Sequence, residues 1–110
     1  MNIRLDPGSM RFRLSEEELS LLLRSGQVRS QTPLPNGDFV SYEVRVNPES
    51  SASSLSLSSH PGLFLLSVTK VALEELRLSE ASEIAVDLPI ERGHLSVILD
   101  VDLFSRKRSR

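Results

Sequence analysis

The stretch that most constrains this chain is Pro61 to Leu78, PGLFLLSVTKVALEELRL, because Pro7 to Arg24, PGSMRFRLSEEELSLLLR, reads as an earlier copy of it. Shifting one by 54 positions brings Pro7 onto Pro61 and Gly8 onto Gly62. Met10, Phe12 and Leu14 then meet Phe64, Leu66 and Val68, and Leu19 and Leu22 meet Leu73 and Leu76. Each copy has the grammar of a turn, a half-buried strand, a helix cap and a short amphipathic helix.

Extending the first copy both ways gives one complete unit. Ile3 and Leu5 alternate with polar neighbours, as do Met10, Phe12 and Leu14, and Asp6-Pro7-Gly8-Ser9 joins them as a turn. This predicts a hairpin whose outer face carries Arg4, Arg11 and Arg13. Ser15 stands as an N-cap, with Glu18 completing a capping box, Leu14 stapling to Leu19 and Gly26 ending the helix. Leu19, Leu22 and Leu23 are its expected buried stripe. Gln27–Leu34 and Phe39–Val46 then form a second hairpin across Pro35-Asn36-Gly37-Asp38.

The second unit repeats the order. After a connector over residues 47–51, Leu55 and Leu57 alternate through a serine-rich run, which reads as a strand with a serine outer face. Ser59-His60-Pro61-Gly62 turns into Leu63–Val68, Thr69 caps a helix ending near Leu78, and Glu83–Ile90 and Leu95–Leu103 close on Glu91-Arg92-Gly93-His94. Val97, Leu99, Val101 and Leu103 align with Val40, Tyr42, Val44 and Val46 at an offset of 57. The expectation is a single α+β domain over residues 1–104, with pseudo-repeats 1–47 and 53–103. It is mainly antiparallel, two ββαββ units closing into a pseudo-two-fold barrel, followed by a disordered basic tail at 105–110.

Charge bounds the function. The 13 basic and 15 acidic residues give a net −2, but Arg106, Lys107, Arg108 and Arg110 all lie in the tail, so the body is more acidic than the total suggests. An acidic body disfavours wholesale wrapping of nucleic acid. No apolar run approaches the roughly 18 residues of a membrane span, and the N-terminus does not read as a secretory signal. With no cysteine and only two histidines, His60 and His94, both in turns, no catalytic, cofactor-binding or metal-binding set emerges. The expectation is a non-enzymatic, cytoplasmic protein without cofactors. Asp87, Asp100 and Asp102 on the late strands are read as solvent-facing charges in preference to a catalytic carboxylate pair.

Two surfaces remain as candidate sites. Arg4, Arg11 and Arg13 would form an anion or nucleic-acid contact, or a solvated face with cross-strand carboxylate partners. The matching face of the second unit, Ser54, Ser56, Ser58, Leu63, Leu65 and Ser67, has no positive charge, which weighs against a two-fold DNA reader. There Leu63 and Leu65 would form a contact for a protein partner or a second copy of the chain, or lie covered within their own sheet. The tail would serve nucleic acid, an acidic partner or solubility.

The ββαββ plan resembles the swapped-hairpin AbrB/MazE-like domain, most closely in LFLLSVTKVALEELRLSEASEIAVDLPIERGHLSVIL. Thr69-Lys70 stands where that family has Pro-Lys, Leu76 and Leu78 at its leucine pair, Ser82-Glu83 at its Gly-Asp-Glu turn, and Gly93-His94-Leu95 near its closing strand. The resemblance implies a single-chain pseudo-dimer on a scaffold that several members use to bind DNA. The whole chain also resembles small uncharacterised bacterial proteins beginning like MKIRIRGNSIRFRLT. The match rests on Ile3-Arg4, Gly8-Ser9, Arg11-Phe12-Arg13-Leu14, Ser15 and the closing stretch from Leu95 to Asp102. The reading is a regulatory or protein-interaction module, with a direct DNA-binding regulator or antitoxin-like protein as the alternative and a small-molecule or enzymatic domain behind both.

Overall fold

Turn chemistry sets the four hairpins. In the computed structural model, which describes residues 1–47, 54–78 and 83–102, β1 (Asn2–Asp6) and β2 (Ser9–Leu14) pair with Asp6 opposite Ser9. That leaves Pro7-Gly8 as a two-residue turn. Proline presets its own φ and the next residue takes φ 86°, which glycine adopts without a Cβ penalty. Pro61-Gly62 repeats the device between β5 (Leu55–His60) and β6 (Leu63–Thr69). Gly62 has a second constraint, since a Cβ there would lie 3.2 Å from the backbone oxygen of Phe39.

β3 (Gln27–Pro33) and β4 (Phe39–Asn47) are joined by a longer loop, in which Asn36 Oδ1 accepts the Asp38 N–H at 3.1 Å. β7 (Glu83–Ile90) and β8 (Gly93–Val101) close over Glu91-Arg92. From Leu55 the serine-rich run forms a strand, as its leucine alternation predicts: Leu55 is fully buried and Leu57 half-buried.

Helix α1 (Glu16–Ser25) starts at Ser15, whose Oγ accepts the Glu18 N–H at 3.1 Å while Glu18 Oε1 accepts the Ser15 N–H at 3.0 Å. Glu18 Oε2 also accepts the Met1 α-ammonium at 2.7 Å. Gly26 ends the helix in the left-handed region and donates its N–H to the Leu22 carbonyl at 2.9 Å. Leu19 and Leu22 are buried, but Leu23 is 37% exposed, contrary to the expected stripe. A ten-residue helix docked on β2, β3 and β4 buries only a narrow sector, and Leu23 falls at its margin, beside Lys70 and Leu73. In α2 (Lys70–Leu78), Thr69 Oγ1 accepts the Ala72 N–H at 3.2 Å, and Ala72, Leu73 and Leu76 point inward.

The strands form two four-stranded sheets, ordered β1-β2-β8-β7 and β3-β4-β6-β5. Each takes one hairpin from either half of the chain, and the central pairs, β2 with β8 and β4 with β6, are parallel. Four of the six strand pairings among the described residues are antiparallel, in line with the expectation, but the expected closed barrel is corrected to two mixed sheets, neither closed on itself. A hairpin turn imposes antiparallel pairing locally, whereas the direction in which two hairpins meet is set by contacts distant in sequence. The registers also revise the alignment of the late strands. Phe12 pairs with Leu99 and Leu66 with Val44, so Val44 corresponds to Leu99, an offset of 55 rather than 57.

Met10, Phe12, Leu14, Val97, Leu99 and Val101 from the first sheet join Val28, Tyr42, Val44, Leu55, Leu66 and Val68 from the second in one buried cluster with the helix leucines. No helix among the described residues is long and apolar enough to cross a membrane. The connector at 48–51, Ser82 and the 105–110 tail lie outside the described residues.

Glu18 links the α1 cap to the chain start, and this sets a pH dependence. Burial pushes its carboxyl up, but the Met1 ammonium and the Ser15 N–H and hydroxyl outweigh burial and hold it below its ordinary 4.5. A carboxyl depressed in the folded state stabilises fully above the unfolded value and loses that contribution as pH falls through the folded value. Urea midpoints measured between pH 6 and 3 should therefore fall below about pH 4.5, and Glu18→Gln should flatten that acid limb.

Candidate functional site

The arginine face is assembled from both halves of the chain. Within the first hairpin, Arg4 lies opposite Arg11 and Asn2 opposite Arg13. Across the parallel seam Arg13 lies opposite Asp100 and Arg11 opposite Ile98, and β7 sets Glu83 on the far side of Asp100. Side chains alternate along a strand, so all of these share the outer face.

Like charges placed opposite one another destabilise a sheet, and Asp100 relieves this. Arg13 forks onto it, Nε to Oδ1 at 3.1 Å and Nη2 to Oδ2 at 3.2 Å, while Arg11 Nη1 also donates to Oδ2. The Asp100 side chain is only 5% exposed. Hydrogen bonding and the charge of Asp100, with a smaller contribution from Asp102, raise the Arg13 pKa despite some desolvation. Arg4 is the most open cation, its Nε 3.1 Å from the exposed Asp6 carboxylate. Asn2, Ile3, Arg4, Arg11 and Arg13 line a shallow, open depression of about 430 Å³.

The structure thus brings the three sequence-predicted arginines together and corrects the expectation for their neighbours. Asp100 is buried rather than solvent-facing, Asp102 is half-buried, and Asp87 is exposed. Strand parity told which face Asp100 occupies. It could not tell that two arginine side chains from the other half lie over it.

The outer face of the second sheet changes more. β6 contributes Leu63 and Leu65, but its partner β4 belongs to the first half and brings Glu43 and Arg45, with Arg29 beyond on β3. The expected face without positive charge is therefore not what forms. Glu43 is 5% exposed, lies opposite both Arg29 and Leu65, and accepts from Arg45 Nη2 at 2.5 Å and Nε at 2.9 Å. Arg29 Nη2 reaches Ser41 Oγ at 3.5 Å. Leu63, between Ser41 and His60, and Leu65, between Glu43 and Ser58, are half-buried. The sequence marks Asp100 only as a solvent-facing charge and assigns no site role to Glu43 and Arg45, whose one local signal is their i, i+2 spacing on a strand.

His60 and His94 are exposed and border the turns at Pro61-Gly62 and Glu91-Arg92. Among the described residues, no three His, Asp or Glu side chains are placed to hold a metal ion.

The Asp100 clamp should be structural as well as superficial. Arg11→Ala with Arg13→Ala leaves a buried carboxylate without its cations, at a cost of about 2–3 kcal/mol after allowing for the arginines' partial exposure. Adding Asp100→Asn removes the stranded charge and should recover roughly half of the loss. Urea denaturation of the double and triple variants measures both.

No curated protein matches the chain. A family of unknown function, DUF7009, matches residues 1–105, nearly the whole of the 110-residue sequence, and the chain belongs to that family.

Proposed function

We propose that this protein is a non-catalytic, cytoplasmic interaction module that uses the arginine face of its first sheet to hold carboxylates of an acidic protein surface. The observation that carries this reading is the convergence of Arg4, Arg11 and Arg13, with Asn2, on one open depression. Arg11 and Arg13 already grip a carboxylate there, and their side chains remain 32% and 48% exposed. A guanidinium keeps donors to spare after one such bond, since it carries five N–H groups in a planar fork.

The exchange of hairpins between halves supports a swapped-hairpin, AbrB/MazE-like ancestry for the scaffold. Nucleic acid is the less favoured partner. The chain has a formal net charge of −2, and Asp100 and Asp6 offset part of the arginine charge at close range. Long-range attraction to a polyanion is correspondingly weak.

The test compares labelled poly-glutamate with mixed-sequence duplex DNA, titrated with the full chain at low and moderate salt. Poly-glutamate should bind, weaken as salt is raised, and lose about fivefold in affinity with Arg4→Ala, corresponding to ~1 kcal/mol for an exposed ion pair. Arg4 is exposed and its ion pair is with the exposed Asp6, so this change should spare the fold. Tighter binding to DNA, with the steep salt slope of phosphate contacts, would replace the carboxylate reading by the nucleic-acid one.

A further inference from the structure

A cleft between the end of α1 and the start of α2 lies apart from the arginine face. Both of its walls are pinned to the end of β4. On one side the Val46 N–H donates to the carbonyl of Gly26, the residue that ends α1, at 2.9 Å. On the other, Asn47 lies opposite Thr69, whose hydroxyl caps α2. The space between the walls is about 310 Å³. Backbone pairing fixes each wall, so the cleft is formed before any ligand arrives.

The chemistry of the cleft changes with depth. Leu22 and Leu73 are buried, Val46 is half-buried, and Leu23 stays 37% exposed at the margin. An exposed leucine by itself is ordinary. Here it extends an apolar floor to two cations, Arg24 and Lys70, which are exposed and make no ion pair among the described residues. Arg24 suits the last turn of α1, where the helix dipole favours positive charge. Lys70 has no such reason. It opens α2, where the dipole disfavours a cation, and the matching position in the first unit is Glu16. Glu74, also exposed, lies one turn on from Lys70 at the same opening, so two cations against one carboxylate leave a net +1 there.

We infer that this cleft binds a small amphiphilic monocarboxylate. Its aliphatic chain lies on Leu22, Leu23, Val46 and Leu73, and its carboxylate sits between Arg24 and Lys70. A single carboxylate balances the charge of the opening, whereas a phosphate dianion overshoots it. The volume is at the small end of ligand pockets, about 300–1,000 Å³, which restricts the ligand to a short chain. About ten heavy atoms in so open a cleft give a dissociation constant on the order of a millimolar. The cleft shares no residue with the arginine face, so this inference does not depend on what that face holds.

Amide chemical shifts of the isotope-labelled full chain, titrated separately with hexanoate, 1-hexanol, hexylamine and acetate, test this. Hexanoate should move the amides of Leu23, Gly26, Lys70 and Leu73 and approach saturation near about ten millimolar. 1-Hexanol lacks the charge and should bind about fivefold more weakly, as for the loss of one exposed ion pair. Acetate lacks the chain and hexylamine has the wrong sign, so both should leave those amides in place. Lys70→Glu sets an acid at an exposed helix start and should spare the fold while weakening hexanoate by about fivefold or more. Leu23→Ser should weaken hexanoate and 1-hexanol alike. Unmoved cleft amides, 1-hexanol or acetate matching hexanoate, or an unchanged hexanoate affinity in Lys70→Glu would overturn the inference. Hexanoate that moves only the amides of Arg4, Arg11 and Arg13 would also overturn it and assign the carboxylate to the first sheet.

Discussion

The parallel pairing of β2 with β8 and of β4 with β6 is the contact on which the rest of this structure depends. A hairpin alone buries one face at most and is marginal in water. Each half of this chain supplies two such hairpins and one short helix, too little for a core of its own. Exchange across the two seams turns four hairpins into two four-stranded sheets. Phe12 and Leu99 then share one seam while Leu66 and Val44 share the other, with all four side chains fully buried.

The same seams decide the surface. Asp100 belongs to the second half, and Arg11 and Arg13 to the first, so their ion pairs span the β2–β8 junction. Glu43 and Arg45 reach the second half in the reverse sense, carried on β4 to lie beside Leu65 and Ser67. Each outer face therefore holds one nearly buried carboxylate with at least one arginine upon it. In the first sheet the carboxylate is aspartate and the arginines come across the seam. In the second, the nearest arginine is on the same strand. Buried ion pairs of this kind add little net stability over apolar packing, but losing one partner is costly, so the pairs that span the β2–β8 seam favour that meeting of hairpins over alternatives that strand Asp100.

Much of the local structure was legible before any tertiary contact was known. The Pro-Gly turns, the Ser15–Glu18 capping box, the Gly26 stop and the strand character of the serine-rich run each depend on residues within a few positions of one another. What misled was inference across the halves. Aligning the late strands by apolar pattern alone permits slips of two residues, because period-2 alternation looks the same after such a slip; the pairing with β2 and β6 removes that freedom. Leu23 was misjudged because helical periodicity gives an angle and not the width of the surface docked against it.

The amino-acid sequence by itself determined the four hairpins, both helix starts and the outward placement of Arg4, Arg11 and Arg13, since turn conformation, capping and strand alternation are all short-range. Only the tertiary structure decided that the hairpins meet in parallel across the halves, that Asp100 and Glu43 are buried among arginines, and that acidic strands stand beside basic ones on the first sheet. Those outcomes depend on which distant strands become neighbours. That choice is made by the shared burial of both halves' apolar faces, to which no local residue pattern points.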